Sequence, residues 1–476
     1  MGNEVYQAGV ARADITSPVG SRLCGYTVRE GLSHTVAEPL TATALALCGG
    51  ETVIFLALDL TLASVELTTR LREHCARSAN LPVSNILINF NHTHSAPILP
   101  GFWPHDTPDQ LKMQEDYAEY LAAQLEQVCR DAISALRPAR LAVGWGECKG
   151  NINRRQKADD DTVLMGENPD GPCDSSVGVV RVDNLEGQPL AVLFRYSCHT
   201  VTLGPRTNVI SPDFIGPARA LVERETGCLA LFMQGCAGNM NPITGIGQDA
   251  EGYEDTVRLG HLLGGEVVKV CSTLRTHRRR KEPLLVQSVA VYWLYEYEPI
   301  SPGGEGSVRV QEIHMQLPLT PFAPLEEIER ERATWAERLS DARQRSVREA
   351  EMNVAVRFDY WSQLRLNAAR NGPNPATVEF PIQVIQLGEL AFVALPFEVM
   401  AETGLELRAA VPQRNTFVLG YSNGLVSYLP TPQVSRDGGM EAKLGYKNYL
   451  LPSELPGAWE PQIKERTMDL LEAINE

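Results

Sequence analysis

The sequence predicts an α/β fold of mixed β-sheets flanked by helices, built from repeated hairpin, helix and strand units. Three observations predict it. Apolar runs of strand length alternate with longer stretches of helical period, the pattern of sheets covered by helices. The order hairpin, helix, strand occurs three times without obvious sequence copying. The chain of 476 residues, 43% hydrophobic and 21% charged, has a globular composition and the length for a sizeable core. One unit over 1–476 is expected.

In the first unit, residues 41–47 and 53–60 flank the polar turn Gly49-Gly50-Glu51, 62–79 carry helical period, and 86–90 form the closing strand, which ends at Asn91-His92-Thr93-His94. In the second, 178–182 and 190–196 form the hairpin, 212–225 the helix and 229–233 the closing strand, which ends at Gln234-Gly235-Cys236-Ala237-Gly238-Asn239. In the third, 380–387 and 390–395 flank Gly388, 399–410 form the helix, and 416–419 close at Gly420-Tyr421-Ser422-Asn423-Gly424. Between the second and third units an inserted segment at about 323–370 reads as two charge-rich helices broken near Val354, a scaffold with a solvated face. His277-Arg278-Arg279-Arg280-Lys281 reads as an exposed turn.

The net charge of −16 argues against nucleic acid or an anionic membrane as the main partner and leaves neutral or cationic small-molecule substrates open. The ten cysteines contain no CxxC pair, so free thiols are expected. No stretch approaches the roughly 18 apolar residues of a membrane span, and the first residues lack a basic then apolar leader, so a cytoplasmic location is expected.

Chemistry is expected on the loops at the strand ends. His92-Thr93-His94 follows a short apolar strand, and residues two apart on extended backbone point to one side; this suits a metal, or equally two hydrogen-bonded histidines. His199 ends the second hairpin. Glu398 ends the third, either as a ligand or as a cap on the helix that follows. Two or three histidines with one carboxylate match a catalytic zinc site with an open position. Tyr26, His34, Asn153, Arg154, Arg155 and Asp213 are further polar candidates near such a site, although Asp213 also suits a helix cap and Arg154-Arg155 a salt-bridged loop. A TIM-barrel amidohydrolase also uses His-x-His, but it needs eight strand-helix units, and His261, His277 and His314 do not follow such strands.

With the opening Gly9-Val10-Ala11-Arg12-Ala13-Asp14-Ile15-Thr16, then Gly25-Tyr26 and His92-Thr93-His94-Ser95, the chain resembles the zinc-dependent neutral ceramidase family over most of its length. The resemblance implies a ceramidase-like catalytic domain with Zn2+ held by His92, His199, Glu398 and Tyr428, and His94 beside the metal as a polar contact acting on protons. Two departures matter. Where the family has a nucleophilic serine, the run Gly238-Asn239-Met240-Asn241-Pro242 places Asn241, an amide that cannot attack. Cys236 nearby is either a thiol nucleophile or a small buried residue, and Gly235, Cys236 and Asn241 are expected to face substrate. The chain also stops 48 residues after Tyr428, so the family's C-terminal immunoglobulin-like domain is not expected. The expected function is zinc-dependent hydrolysis of an amide by activated water. The alternatives are the same site acting on a sugar derivative or ester, or a non-catalytic ligand-binding homologue.

Overall fold

The structure is a computed structural model that describes residues 4–474 apart from 104, 105, 248, 249, 289, 302 and 414. Each predicted unit forms an antiparallel hairpin whose second strand pairs in parallel with the closing strand. The pairs are Thr41–Gly49 with Glu51–Leu58 and then Ile86–Phe90, Ser176–Asn184 with Pro189–Tyr196 and then Leu229–Gln234, and Thr377–Leu387 with Leu390–Ala394 and then Asn415–Leu419. The first two units share one eight-stranded sheet, joined through Tyr6–Asp14 and Arg137–Glu147 at its centre, so their closing strands form its two outer edges. The sheet curls until those edges meet: the Gln234 N–H donates to Asn89 Oδ1 at 2.7 Å. The Asn89 side chain thus serves the edge backbone at Gln234 in place of a further strand.

The third unit, with Val308–Pro318, makes a four-stranded sheet that packs on the first. Leu45, Phe55 and Met233 from one sheet and Ile385, Phe392 and Phe417 from the other share one buried apolar cluster. Phe55 and Phe392 meet at 4.7 Å between ring centres, a pairing worth about 0.5–1.5 kcal/mol beyond the area it buries. Helices Val65–Ala79 and Ile215–Thr226 each carry the chain from hairpin to closing strand. Ser64 Oγ accepts from the Leu67 N–H at 3.1 Å and so starts the first of them.

Helix boundaries differ from expectation, the first helix beginning at Val65 after its cap Ser64. The inserted helices, Leu325–Arg345 and Glu349–Asn371, break at Ser346 and not at Val354, because Ser346 takes the left-handed conformation (φ 50°) that ends the first. The third helix begins at Ala401, since Glu398–Val399 first pairs in parallel with Tyr428–Leu429. The second begins at Ile215, because left-handed Asp213 (φ 57°) precedes it. Arg278–Arg280 is an exposed strand paired with Tyr297–Pro299 rather than a turn. All ten cysteines are free, and among the described residues no helix is long and apolar enough to cross a membrane.

Candidate active site at the strand ends

The ends of all three closing strands meet at one buried amide. Asn89 Nδ2 donates to the Gly420 carbonyl at 2.9 Å and to Ser422 Oγ at 3.0 Å, while its Oδ1 holds Gln234. Just beyond this joint the chain turns sharply through His92, left-handed at φ 65°, a conformation that costs a non-glycine residue about 1–2 kcal/mol. The turn lets the His92 N–H donate to the Leu60 carbonyl at 3.0 Å and its ring Nδ1 to the Thr61 carbonyl at 2.7 Å. His199 is held the same way from the second unit, with Nδ1 donating to the Ala237 carbonyl at 2.7 Å. Carbonyls only accept, so both Nδ1 atoms carry the proton and both Nε2 atoms present lone pairs.

Those lone pairs point at a carboxylate. Glu398 Oε2 lies 3.0 Å from His199 Nε2 and 3.5 Å from His92 Nε2, and His94 Nε2 lies 3.2 Å from His92 Nε2. Tyr449 donates to Glu398 Oε1 at 2.5 Å and Tyr421 to Oε2 at 3.2 Å. Glu398 therefore does not cap its helix. Gly238 makes its position possible: a Cβ there would lie 2.5 Å from the Glu398 carbonyl, and the Gly238 N–H donates to the Val399 carbonyl at 2.8 Å.

Burial pushes His92 down to about 4 and also lowers His94 and His199. Burial alone would raise Glu398, but the neighbouring histidines hold it down to about 2. Neutral imidazoles thus face an ionised carboxylate, and the contacts of His92 Nε2 and His199 Nε2 with Glu398 Oε2 set lone pair against lone pair. A divalent cation between them would remove that repulsion, and imidazole with carboxylate is a donor set that could hold one. His92, His94 and His199 each offer a nitrogen within 4.8 Å of the others. His94 differs in one respect: its Nδ1 is buried without a hydrogen-bond partner among the described residues.

A family model for neutral/alkaline non-lysosomal ceramidase, N-terminal, matches residues 6–253, just over half of the chain. The chain belongs to this ceramidase family. Neutral ceramidase of Pseudomonas aeruginosa is 24% identical over 255 residues, 50% of this chain and 37% of that protein. Neutral ceramidase A of Dictyostelium discoideum is 26% identical over 172 residues, 34% of this chain and 24% of that protein. The aligned stretches thus span less than two thirds of these relatives' own length. The crystal structure of the Pseudomonas aeruginosa neutral ceramidase superposes with a TM-score of 0.67 at 18% identity, covering 98% of this chain and 73% of that one. A ceramidase complexed with C2 gives 0.70 at 16%, covering 98% and 75%. At these identities the likeness is one of fold.

Within this ceramidase-family chain, a cavity of about 110 Å³ is lined by His92, His94, Glu398, Tyr428 and Tyr26, among others. Tyr26 meets the His94 ring edge-on at 4.7 Å. Tyr428 reaches the site because it is the register partner of Glu398, and its hydroxyl accepts from Arg154 Nη2 at 3.2 Å. Arg154 also sets Nη1 3.2 Å from His199 Nε2 and 3.3 Å from Asn241 Oδ1, and its Nε donates to Glu441 at 3.0 Å. The other expected residues lie elsewhere. Cys236 is fully buried in an apolar cluster, its Sγ 3.9 Å from the Val418 carbonyl, and Gly235 is bound into the backbone by Tyr196, so neither lines the cavity. Asn153 and Arg155 are spent on structure: Asn153 Nδ2 donates to the Pro172 carbonyl, and Arg155 pairs with Glu441. His34 is exposed and its backbone N–H bonds the Asn208 carbonyl. Asp213 is buried, accepting from the Leu203 and Phe214 N–H groups and from Thr202.

Sequence reasoning missed Tyr421, Tyr449, Arg29 and Arg357. Tyr421 sits just past the third closing strand, the position that flagged His92 in the first unit. Tyr449, Arg29 and Arg357 carry no local signal. Arg357 comes from the inserted helix, on the buried face it shares with Asn353 and Trp361, so that helix walls the cavity and is more than a scaffold.

Proposed function

We propose that this chain is a metal-dependent hydrolase that cleaves the amide bond of an N-acyl compound, with His92, His199 and Glu398 holding one divalent ion, zinc by its donor set. The observation that carries the reading is the convergence of two imidazole lone pairs and an ionised carboxylate on one point of a cavity wall. The family supports the bond class, since its relatives are named as ceramidases. A zinc ion held there would supply Lewis acidity and a water whose pKa falls from about 15.7 to about 7.

The chain's own groups then divide the work. His94 lacks the carbonyl partner that fixes His92 and His199, which suits a proton carrier better than a ligand. It takes the proton of the attacking water and returns it to the amide nitrogen as the C–N bond breaks. The Tyr428 hydroxyl accepts from Arg154, which leaves its own proton to meet the substrate carbonyl oxygen as negative charge develops there. Asn241 has no nucleophilic atom and Cys236 lies in the core, so the acyl group passes directly to water with no acyl-enzyme.

The test is metal-stripped full-length protein assayed on short-chain N-acyl substrates before and after one equivalent of zinc. Turnover should be absent before and restored after. Equal turnover of stripped and reloaded protein, or none in either, overturns the reading.

A further inference from the structure

The cavity lined by His92 and His94 is also lined by two buried arginines that pair with no carboxylate among the described residues. Arg29 and Arg357 are 3% and 4% exposed, and both line its wall. Arg29 Nη2 donates to the His94 carbonyl at 2.6 Å, and Nη1 to the Thr207 carbonyl and to Asn208 Oδ1; its Nε has no hydrogen-bond partner. Arg357 donates to the carbonyls of Phe102 and Asn448. Every one of these partners is a neutral oxygen. Arg72, Arg154, Arg155, Arg195 and Arg219, buried elsewhere, each face a carboxylate. Arg140 also bonds only carbonyls, of Thr276 and Ile300, but it pins the root of the exposed 278–299 ribbon and does not line this cavity.

A buried guanidinium without a counter-charge is costly, so buried charges are ordinarily paired. The cavity's own carboxylate does not serve: Glu398 accepts from Tyr421 and Tyr449 and forms no ion pair with either arginine. Arg22, also in the wall, is spent on Asp106 at 2.7 Å. A divalent ion at the histidines would add to the positive excess. The guanidiniums keep unspent N–H donors in the fork geometry that matches oxyanions, and Trp103 lies under Arg357 at 5.4 Å to steady its plane. The cavity's volume of about 110 Å³ suits a compact polar group at its inner end.

We propose that Arg29 and Arg357 form an anion subsite beside the histidine cluster, so that the substrate is a small N-acyl compound carrying a carboxylate, sulfonate or phosphate close to its amide. This rests on the hydrolase reading above and narrows its substrate class away from a neutral two-chain lipid. The overall charge of −16 does not oppose it, because at a buried site the local pairing outweighs distant, screened surface charge.

The test compares zinc-loaded full-length protein on four N-hexanoyl amides, those of glycine, taurine, O-phosphoethanolamine and, as the neutral member, ethanolamine. The expected result is a kcat/KM higher by about 10- to 100-fold for at least one anionic amide than for the ethanolamide, expressed mainly in KM. The three anionic arms report which oxyanion is read. Arg29→Met and Arg357→Met should each shrink that preference to within about threefold, whereas Arg29→Lys and Arg357→Lys, which keep the charge and lose the fork, should retain part of it. If the Met variants do not fold, the Lys variants decide, with an expected loss of about 3- to 10-fold in preference. An ethanolamide turned over as well as all three anions, or a preference untouched by the variants, overturns the proposal. Should nothing be hydrolysed, the hydrolase reading fails and binding decides the subsite. Melting of the wild type raised by an anionic amide, and not in the Arg357 variants, sustains it; no rise with any of the three overturns it.

Discussion

Two buried charged clusters lie close along the chain and behave oppositely. Around Asp174, Arg195 Nη2 donates at 2.6 Å, Arg408 Nη2 at 3.1 Å and Ser197 Oγ at 3.2 Å, so charge meets opposite charge and the carboxylate is saturated. Around Glu398, acceptors face acceptors, His94 keeps an unpartnered Nδ1, and two guanidiniums end on neutral carbonyls. The first cluster ties the second unit to the third unit's helix. The second leaves donors and acceptors only partly matched. Burial alone therefore does not mark a site; unfinished pairing does.

The contrast breaks most sharply at the histidines. Replacing His199 by Ala should lower kcat/KM by about 10⁴-fold, the scale on which losing one member of a catalytic unit acts, and elemental analysis should show the bound metal gone. A variant that keeps both metal and activity would remove Glu398 and His92 from the site with it. His94→Ala should cost about 10²- to 10⁴-fold in kcat while metal content stays near that of wild type, which separates a proton carrier from a ligand.

The saturated cluster should answer in stability and not in chemistry. Asp174→Asn strands two arginines, and urea unfolding should show a loss of about 3–5 kcal/mol, with kcat at 25 °C within about threefold of wild type. Burial alone would raise the Asp174 pKa, but Arg195 and Arg408 override it and hold the group well below the usual range. A carboxyl depressed on folding contributes stability that is present above its unfolded pKa of about 3.9 and is lost as pH falls below it. Wild type should therefore weaken under acid in that window, and the Asn variant should weaken less. The smallest effect is expected at Cys236, fully buried with its thiol pushed up to about 12 by that burial. Cys236→Ala should stay within about threefold in kcat and show no product burst in either form; a burst abolished by the substitution would return the thiol to the mechanism.

The first contact set was partly readable in advance. His92, His199 and Glu398 announce themselves because each ends a strand of a repeated unit, and a strand end is where apolar alternation stops and a polar side chain stands out. Helix limits were less readable: a two-residue pairing at Glu398–Val399 and left-handed residues at Asp213 and Ser346 override local propensity. The pair Asn153 and Arg155 looked like site residues because they share a polar run with Arg154. On that strand only Arg154 reaches His199 and Tyr428, while Arg155 turns to Glu441 and Gly438.

By itself, the sequence determined the three units, their hairpins, the mixed character of the sheets and the polar residues at the strand ends, because periodicity and turn residues act over a few positions of chain. Only the tertiary structure decided how those ends meet. The curl that brings Asn89 to Gln234, the register that sets Glu398 beside Tyr428, and the inserted helix that carries Arg357 into the cavity all join residues far apart in the chain. The same is true of pairing. Whether a buried arginine finds a carboxylate, as Arg195 finds Asp174 21 residues away, or only a carbonyl, as Arg357 finds Phe102 255 residues away, depends on which elements pack around it, and no local pattern encodes either partner.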